Sequence, residues 1–188
     1  MIEIRKGSEP VPGYQIVEKL GEGSFGQVWL AMGPGATRHA LKVLRLDKAS
    51  AAKEYRALAW IKDIRHPSLL PITGLWLIDD DGRVIPDRLV VGETLSDLPV
   101  GAKPNAVIVA MVVADKTLAD VLNDYRLKGT SGIPVDELLG YMDDAARGLD
   151  YLNSPRHNIG DQEGVSIQHR DIKPAAISSF PLSFAATP

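Results

Sequence analysis

Apolar and polar positions along the chain change period several times, and each change marks an element. Tyr14 to Leu20 alternates loosely, as a strand buried on one face does. Gln27-Val28-Trp29-Leu30-Ala31 is β-prone and runs into a turn at Gly33-Pro34-Gly35, after which His39 to Leu44 reads as the return strand. From Ser50 to Ile64 the period lengthens: Leu58, Ile61 and Ile64 recur at every third position beside Ala57 and Trp60, which predicts a helix. Leu69-Leu70-Pro71-Ile72 and Leu75-Trp76-Leu77-Ile78 supply the next strand. Residues 79–105 hold Asp79-Asp80-Asp81 and several Pro and Gly, the composition of an inserted surface loop. Ala106 to Val113 is a continuous apolar run suited to a strand buried on both faces. Pro134 to Leu152 is the clearest helix, because Leu138, Met142, Ala145, Leu149 and Leu152 step by four and three into one stripe expected to be core. Pro134 stands at its start, with Asp136 and Glu137 in the first turn where the helix dipole favours acids. Residues 1–13, polar and carrying Pro10, Pro12 and Gly13, suit an extended lead-in, and no internal repeat is present.

Composition narrows the class without naming a function. The chain of 188 residues, 45% hydrophobic, has room for one cored domain or two small lobes. Its net charge of -3 gives no electrostatic reason to expect a nucleic-acid partner. With no cysteine, disulfides and thiolate metal sites are excluded. Met1 to Lys6 lacks the apolar run of a signal peptide, and no stretch approaches the about 18 apolar residues of a membrane span, so the expected compartment is cytoplasmic. The Asp79-Asp80-Asp81-Gly82 string lacks the alternate spacing and terminal Glu of a calcium loop and reads as a solvated turn.

Two motifs carry chemistry. Gly21-Glu22-Gly23-Ser24-Phe25-Gly26-Gln27-Val28 is a G-x-G-x-x-G-x-V loop, in which glycines allow positive φ and bring amide donors close to phosphate oxygens. A dinucleotide-binding loop uses the same glycine spacing, and Asp47 stands where its acidic partner is sought. That loop opens a helix, however, whereas the residues after Gly26 are β-prone and turn back, which is a hairpin. The second motif is His169-Arg170-Asp171-Ile172-Lys173-Pro174.

In this order the two motifs resemble the bacterial (eukaryotic-like, Hanks-type) serine/threonine protein kinases. The resemblance runs from Tyr14 to about Ala175. It implies an α+β fold: a kinase N-lobe of antiparallel sheet plus C-helix, a hinge, and the first helices of the C-lobe. By domain it implies a lead-in at 1–13, an N-lobe at 14–113 with the loop 79–105 inserted, a partial C-lobe at 114–177 that begins with Leu118 to Leu127, and a non-family tail at 178–188. The nucleotide would be ATP, bound by Leu20, Gly21, Glu22, Gly23, Ser24, Phe25, Gly26 and Val28 of the loop. Ala40 and Lys42 of the A-x-K strand, Met111 at the back of the adenine pocket and the backbone around Val113 would complete that site. Glu54, the acidic residue in the first half of the Ser50–Ile64 helix, would pair with Lys42, although counting back from His66-Pro67 puts the family's position at Ala57, one turn later. Asp171 would take up the proton of a substrate hydroxyl, and Lys173 would offset the charge of the transferred phosphate.

The sequel departs from the family. The Asn that holds magnesium five residues after the catalytic Asp is Ala176 here, and Ile172 to Pro188 contains no Asp, Glu, Asn or Gly, so it holds no D-F-G motif. Mg2+ serves the intact family, but both ligand positions are missing, so no metal-binding residue is assigned. A complete catalytic domain is also considerably longer, which implies C-terminal truncation. Three functional readings follow. The chain is a Ser/Thr kinase domain that phosphorylates an unidentified protein in the family but is inactive in this form, a pseudokinase-like module that binds nucleotide or a partner, or a frameshifted fragment without function.

Overall fold

The computed structural model describes residues 4–23, 26–46, 51–86 and 103–179, apart from the side chains of residues 51–54 and 56. They fall into two compact units, one within 1–65 and 70–113, the other within 66–69 and 114–188.

The first unit is built on a six-stranded antiparallel sheet with one helix. In chain order the strands are β1 (Gln15–Gly23), β2 (Gly26–Met32), β3 (Arg38–Arg45), β4 (Ile72–Asp79), β5 (Val84–Ile85) and β6 (Pro104–Val112), with α1 (Ala51–Ile61) between β3 and β4. Their order across the sheet is β1-β2-β3-β6-β4-β5. The apolar run Ala106–Ala110 thus lies centrally, and all five of these residues are buried. Alternation sends Leu41, Val43, Ile108 and Ala110 to the outer face, where they meet Ile16, Val11 and Tyr14. Val107 and Val109 point the other way and pack with Leu75, Leu77 and Tyr55 of α1.

Four expectations change here. The lead-in is not extended: it turns at Arg5–Ser8 and again at Val11–Tyr14, and it buries Val11 to 1% exposure. Strand β1 continues through Gly23, because the first two loop glycines pair with β2. Helix α1 ends at Ile61 rather than Ile64. Beyond it the Arg65 guanidinium donates to the carbonyls of Lys62, Ile64 and Ile72, which takes up acceptors that a longer helix would use internally. Residues 47–50, including the expected start at Ser50, lie outside the described residues. Leu69 to Pro71 precede β4 instead of forming it, since Pro71 has no amide for a ladder. Within 79–105, the Asp79 carboxylate accepts from the amides of Asp81 and Arg83, and that turn returns the chain as β5 against β4. Residues 87–102 lie outside the described residues.

The second unit contains α2 (Leu118–Leu127), α3 (Val135–Asn153) and two short sheets, β7 (Lys116–Thr117) with β10 (Ser178–Ser179) and β8 (His157–Ile159) with β9 (Gln162–Val165). The sequence stretch 154–168 therefore holds a hairpin, and Ser178-Ser179 of the expected tail is a paired strand. Helix α3 matches its apolar period, but the stripe is less covered than a core stripe: Leu152 is buried, Met142 is 38% exposed, and Leu139 beside it is 59% exposed. Gly148 lies where α3 approaches the His66–Leu69 segment, and a Cβ there would stand 2.9 Å from the Ser68 carbonyl oxygen. Tyr151 stacks on His66 in the same unit, and His157 Nε2 donates to the Tyr151 carbonyl.

Helix α2 starts on a capping box. Thr117 Oγ1 accepts from the Asp120 amide, and the Asp120 carboxylate accepts from the Thr117 amide at 2.8 Å. Thr117→Ala is expected to cost about 1 kcal/mol, read as a lower midpoint in urea unfolding followed by circular dichroism. The Thr117 hydroxyl, and after it the Thr117 amide, hold the Asp120 carboxyl below the usual carboxylate range. The folded value is depressed, so this contribution is complete above the ordinary carboxylate pKa and is lost as pH falls through the lowered one. The gap between Thr117→Ala and wild type should therefore narrow in strong acid, leaving the part due to the Asp120 amide on Thr117 Oγ1, which does not titrate.

Candidate nucleotide site and catalytic segment

Register decides which of the candidate residues meet. Val28 pairs with Lys42, and Lys42 pairs with Val109. One step along, Leu30 pairs with Ala40, Ala40 with Met111, and Met111 with Ile72. Directly paired residues share a face, so Val28, Ala40, Lys42 and Met111 stand together on the face that also carries α1. Ala40 is buried, while Val28, Lys42 and Met111 are half-buried. The result is an apolar floor with one cation in it.

The glycine hairpin extends this face. Gly21 pairs with Val28, Glu22 with Gln27, and Gly23 with Gly26. The three glycines differ. Gly26 has φ +121°, and a Cβ on it would lie 1.9 Å from the Val43 carbonyl oxygen, so no other residue fits. A Cβ on Gly21 or Gly23 would meet nothing within 4 Å, which leaves backbone there open to a ligand. Leu20 occupies a β-bulge: Lys19 pairs with Trp29 and Gly21 with Val28, leaving Leu20 as the extra residue, 48% exposed. Glu22 is engaged on the other face, in an ion pair with Lys19 and a 3.2 Å hydrogen bond from Gln27. The Lys19 hydrogen bond, then that from Gln27, hold the Glu22 carboxyl below its usual range. Ser24 and Phe25 lie outside the described residues.

Val113 follows the end of β6 and is half-buried, and the first unit ends with it. Glu54 falls on α1, but its side chain lies outside the described residues. Ala57, the alternative position for the acidic partner, is exposed, while Tyr55, Leu58 and Ala59 form the packed side of α1.

Asp171 and Lys173 belong to the second unit. The Lys173 ammonium donates to Asp171 Oδ2 at 2.8 Å, and both side chains are about half exposed (47% and 52%). Arg170 between His169 and Asp171 has φ +59°, a left-handed conformation that residues with a side chain rarely adopt. That strain has no signal in the sequence, since the position is neither Gly, Asn nor Asp. A short 3-10 turn at Pro174–Ala176 follows. The donor set does not fit magnesium there. Ala176 offers a methyl group where the family has an amide, and among the described residues no three His, Asp or Glu are gathered to hold a metal ion.

Known proteins resemble the chain at this level. No protein-family model matches it. A tyrosine-protein kinase of Spongilla lacustris, SRK3, is 30% identical over 98 residues, 52% of this chain and 29% of that protein. The crystal structure of the PknI kinase domain of M. tuberculosis superposes with a TM-score of 0.57 at 25% identity, covering 92% of this chain and 56% of that one. The chain thus spans little more than half of the kinase domain it resembles, and less than a third of the curated relative. The sheet, α1 and the first helices follow in kinase order, so the chain has the fold of a protein kinase N-lobe and the first elements of a C-lobe. Among the described residues no helix is long and apolar enough to cross a membrane.

Proposed function

We propose that the chain binds ATP on the α1 side of its six-stranded sheet. The observation that carries this reading is the register that places Lys42 between Val28 and Val109 and beside the Ala40–Met111 pair. An adenine ring would lie on Leu20, Val28, Ala40 and Met111, with backbone groups near Val113 reading its edge. The phosphates would lie under the hairpin, where Gly21 and Gly23 leave the backbone accessible, and the Lys42 ammonium would neutralise part of their charge. Ligand binding to the folded state alone stabilises it by about 2.7 kcal/mol at a hundredfold excess over Kd. ATP should therefore raise the melting temperature of the wild-type chain, and Lys42→Ala should remove most of that rise. A melting curve that ATP leaves unmoved would count against the site.

In the whole domain the reaction would be phosphoryl transfer to a Ser or Thr hydroxyl of a protein, with Asp171 accepting the hydroxyl proton and Lys173 beside it offsetting negative charge. The Lys two positions after the Asp supports the Ser/Thr assignment. These 188 residues by themselves should transfer no phosphate, because the family's metal-holding Asn is Ala176 here and Ile172 to Pro188 hold no D-F-G motif. This favours a nucleotide-binding, non-catalytic role for the chain as it stands. Robust radiolabel transfer that disappears in Asp171→Asn would overturn that part of the reading and leave ATP binding intact.

A further inference from the structure

The face of the glycine hairpin turned away from the proposed ATP site carries a closed ring of side-chain interactions. Lys19 pairs with Glu22, Glu22 accepts from Gln27 Nε2 at 3.2 Å, and Gln27 Oε1 accepts from Trp29 Nε1 at 3.2 Å. The Lys19 ammonium closes the ring by lying 5.7 Å from the centroid of the Trp29 ring. The backbone register explains the arrangement: Glu22 and Gln27 are partners across the ladder, as are Lys19 and Trp29. Both pairs project to the outer face, where Trp29 packs against the buried cluster around Leu41. The odd residue between them is Leu20, so the ring brackets the bulge on both sides.

We propose that Lys19, Glu22, Gln27 and Trp29 act as positioning residues, a clasp that fixes the Leu20 bulge and the hairpin register and thereby sets nucleotide affinity without touching the nucleotide. The proposal rests on the ATP-binding reading above. A bulge is a place where a ladder can slip, and a one-residue slip would carry Leu20 and Val28 off the ligand face. Two ladder pairs tied to each other side chain to side chain oppose that slip. The contacts of Glu22 are exposed and the Trp29–Gln27 bond is part-buried, each weak alone, so the effect comes from ring closure: opening any one edge should loosen the others.

The test is a calorimetric titration of the full chain with ATP and, separately, with adenosine. Glu22→Ala should weaken both ligands, adenosine by about three- to fivefold and ATP by at least as much, because the bulge positions the base and the hairpin register positions the phosphates as well. Lys42→Ala should weaken ATP while sparing adenosine. Glu22→Gln, which keeps an acceptor for Gln27 and for the lysine, should recover part of the loss. Lys19→Ala combined with Glu22→Ala should cost no more than either alone. Binding of both ligands to Glu22→Ala with wild-type affinity, or additive losses in the double variant, would overturn the clasp and leave the ATP reading standing. If wild type binds neither ligand, both the ATP reading and the clasp's role fall.

Discussion

Gly26→Ala is expected to lower the melting temperature by on the order of 10 °C, while Gly21→Ala and Gly23→Ala leave it nearly unchanged. At Gly26 the added methyl carbon would lie 1.9 Å from the Val43 carbonyl oxygen, and the backbone has φ +121°. The obstacle is main chain in the middle of the sheet: Val43 is paired with Gln27 on one side and Ile108 on the other. It cannot step aside without breaking two ladders, so β2 must peel away from β3 at its first residues. Left-handed strain and overpacking each cost about 1–3 kcal/mol, and here they add. Gly21 and Gly23 have neither problem, and alanine there also restricts the unfolded chain. Their cost should appear in ATP affinity, since a methyl group would stand where phosphate must approach backbone. Calorimetric melts of the three variants with and without ATP separate the two roles. Equal melting of all three would mean that Gly26 has no special place in the hairpin.

How much of this was legible in the sequence depends on whether the deciding contacts are local. The Ala106–Val113 run announced a strand covered on both faces, because only such a strand tolerates unbroken apolar residues, and β6 is central. The step-four, step-three stripe located α3 to within about one residue at each end. Its burial was another matter, since periodicity says which side of a helix is apolar and nothing about what packs on it. Leu152 is covered and Leu139 is not.

The candidate site divides in the same way. G-x-G-x-x-G-x-V and the A-x-K strand are short-range patterns, and hairpin geometry converts their spacing into the shared face of Val28, Ala40 and Lys42. The bulge residue Leu20 is itself neither Gly nor Pro, and Gly21 beside it is already accounted for by the glycine motif, so the sequence does not single out the bulge. Counting outward from the turn would have found the Glu22–Gln27 pair of the clasp. The Lys19–Trp29 pair needs the bulge to be known first. Arg170 is less accessible still, because its left-handed backbone is imposed by its surroundings against its own preference.

Val11→Asp should destabilise the chain by about 4 kcal/mol or more, the class reserved for a charge forced into an apolar site. Val11 stands between two prolines in a polar lead-in, yet it is 1% exposed. It packs with Tyr14 and Ile16 over the outer face of the sheet, where Tyr14 meets Trp76 edge-on at 5.1 Å. The same segment closes the sheet's edge. Strand β1 is outermost, and at Ile16 its amide donates to the Ser8 carbonyl while its carbonyl accepts from the Gly7 amide, both at 2.8 Å. An edge strand left open next to uncovered Leu41 and Ile108 would invite pairing with another chain. Val11→Asp should therefore melt early and self-associate in sedimentation, whereas Lys6→Ala, at an exposed position of the Arg5–Ser8 turn of the same lead-in, should behave as wild type. The size of the first effect follows from burial and its kind from the edge. A Val11→Asp chain that melted early but sedimented like wild type would keep the apolar cover and refute the edge-closing role. One that melted with wild type would mean that the sheet holds its outer face without the lead-in.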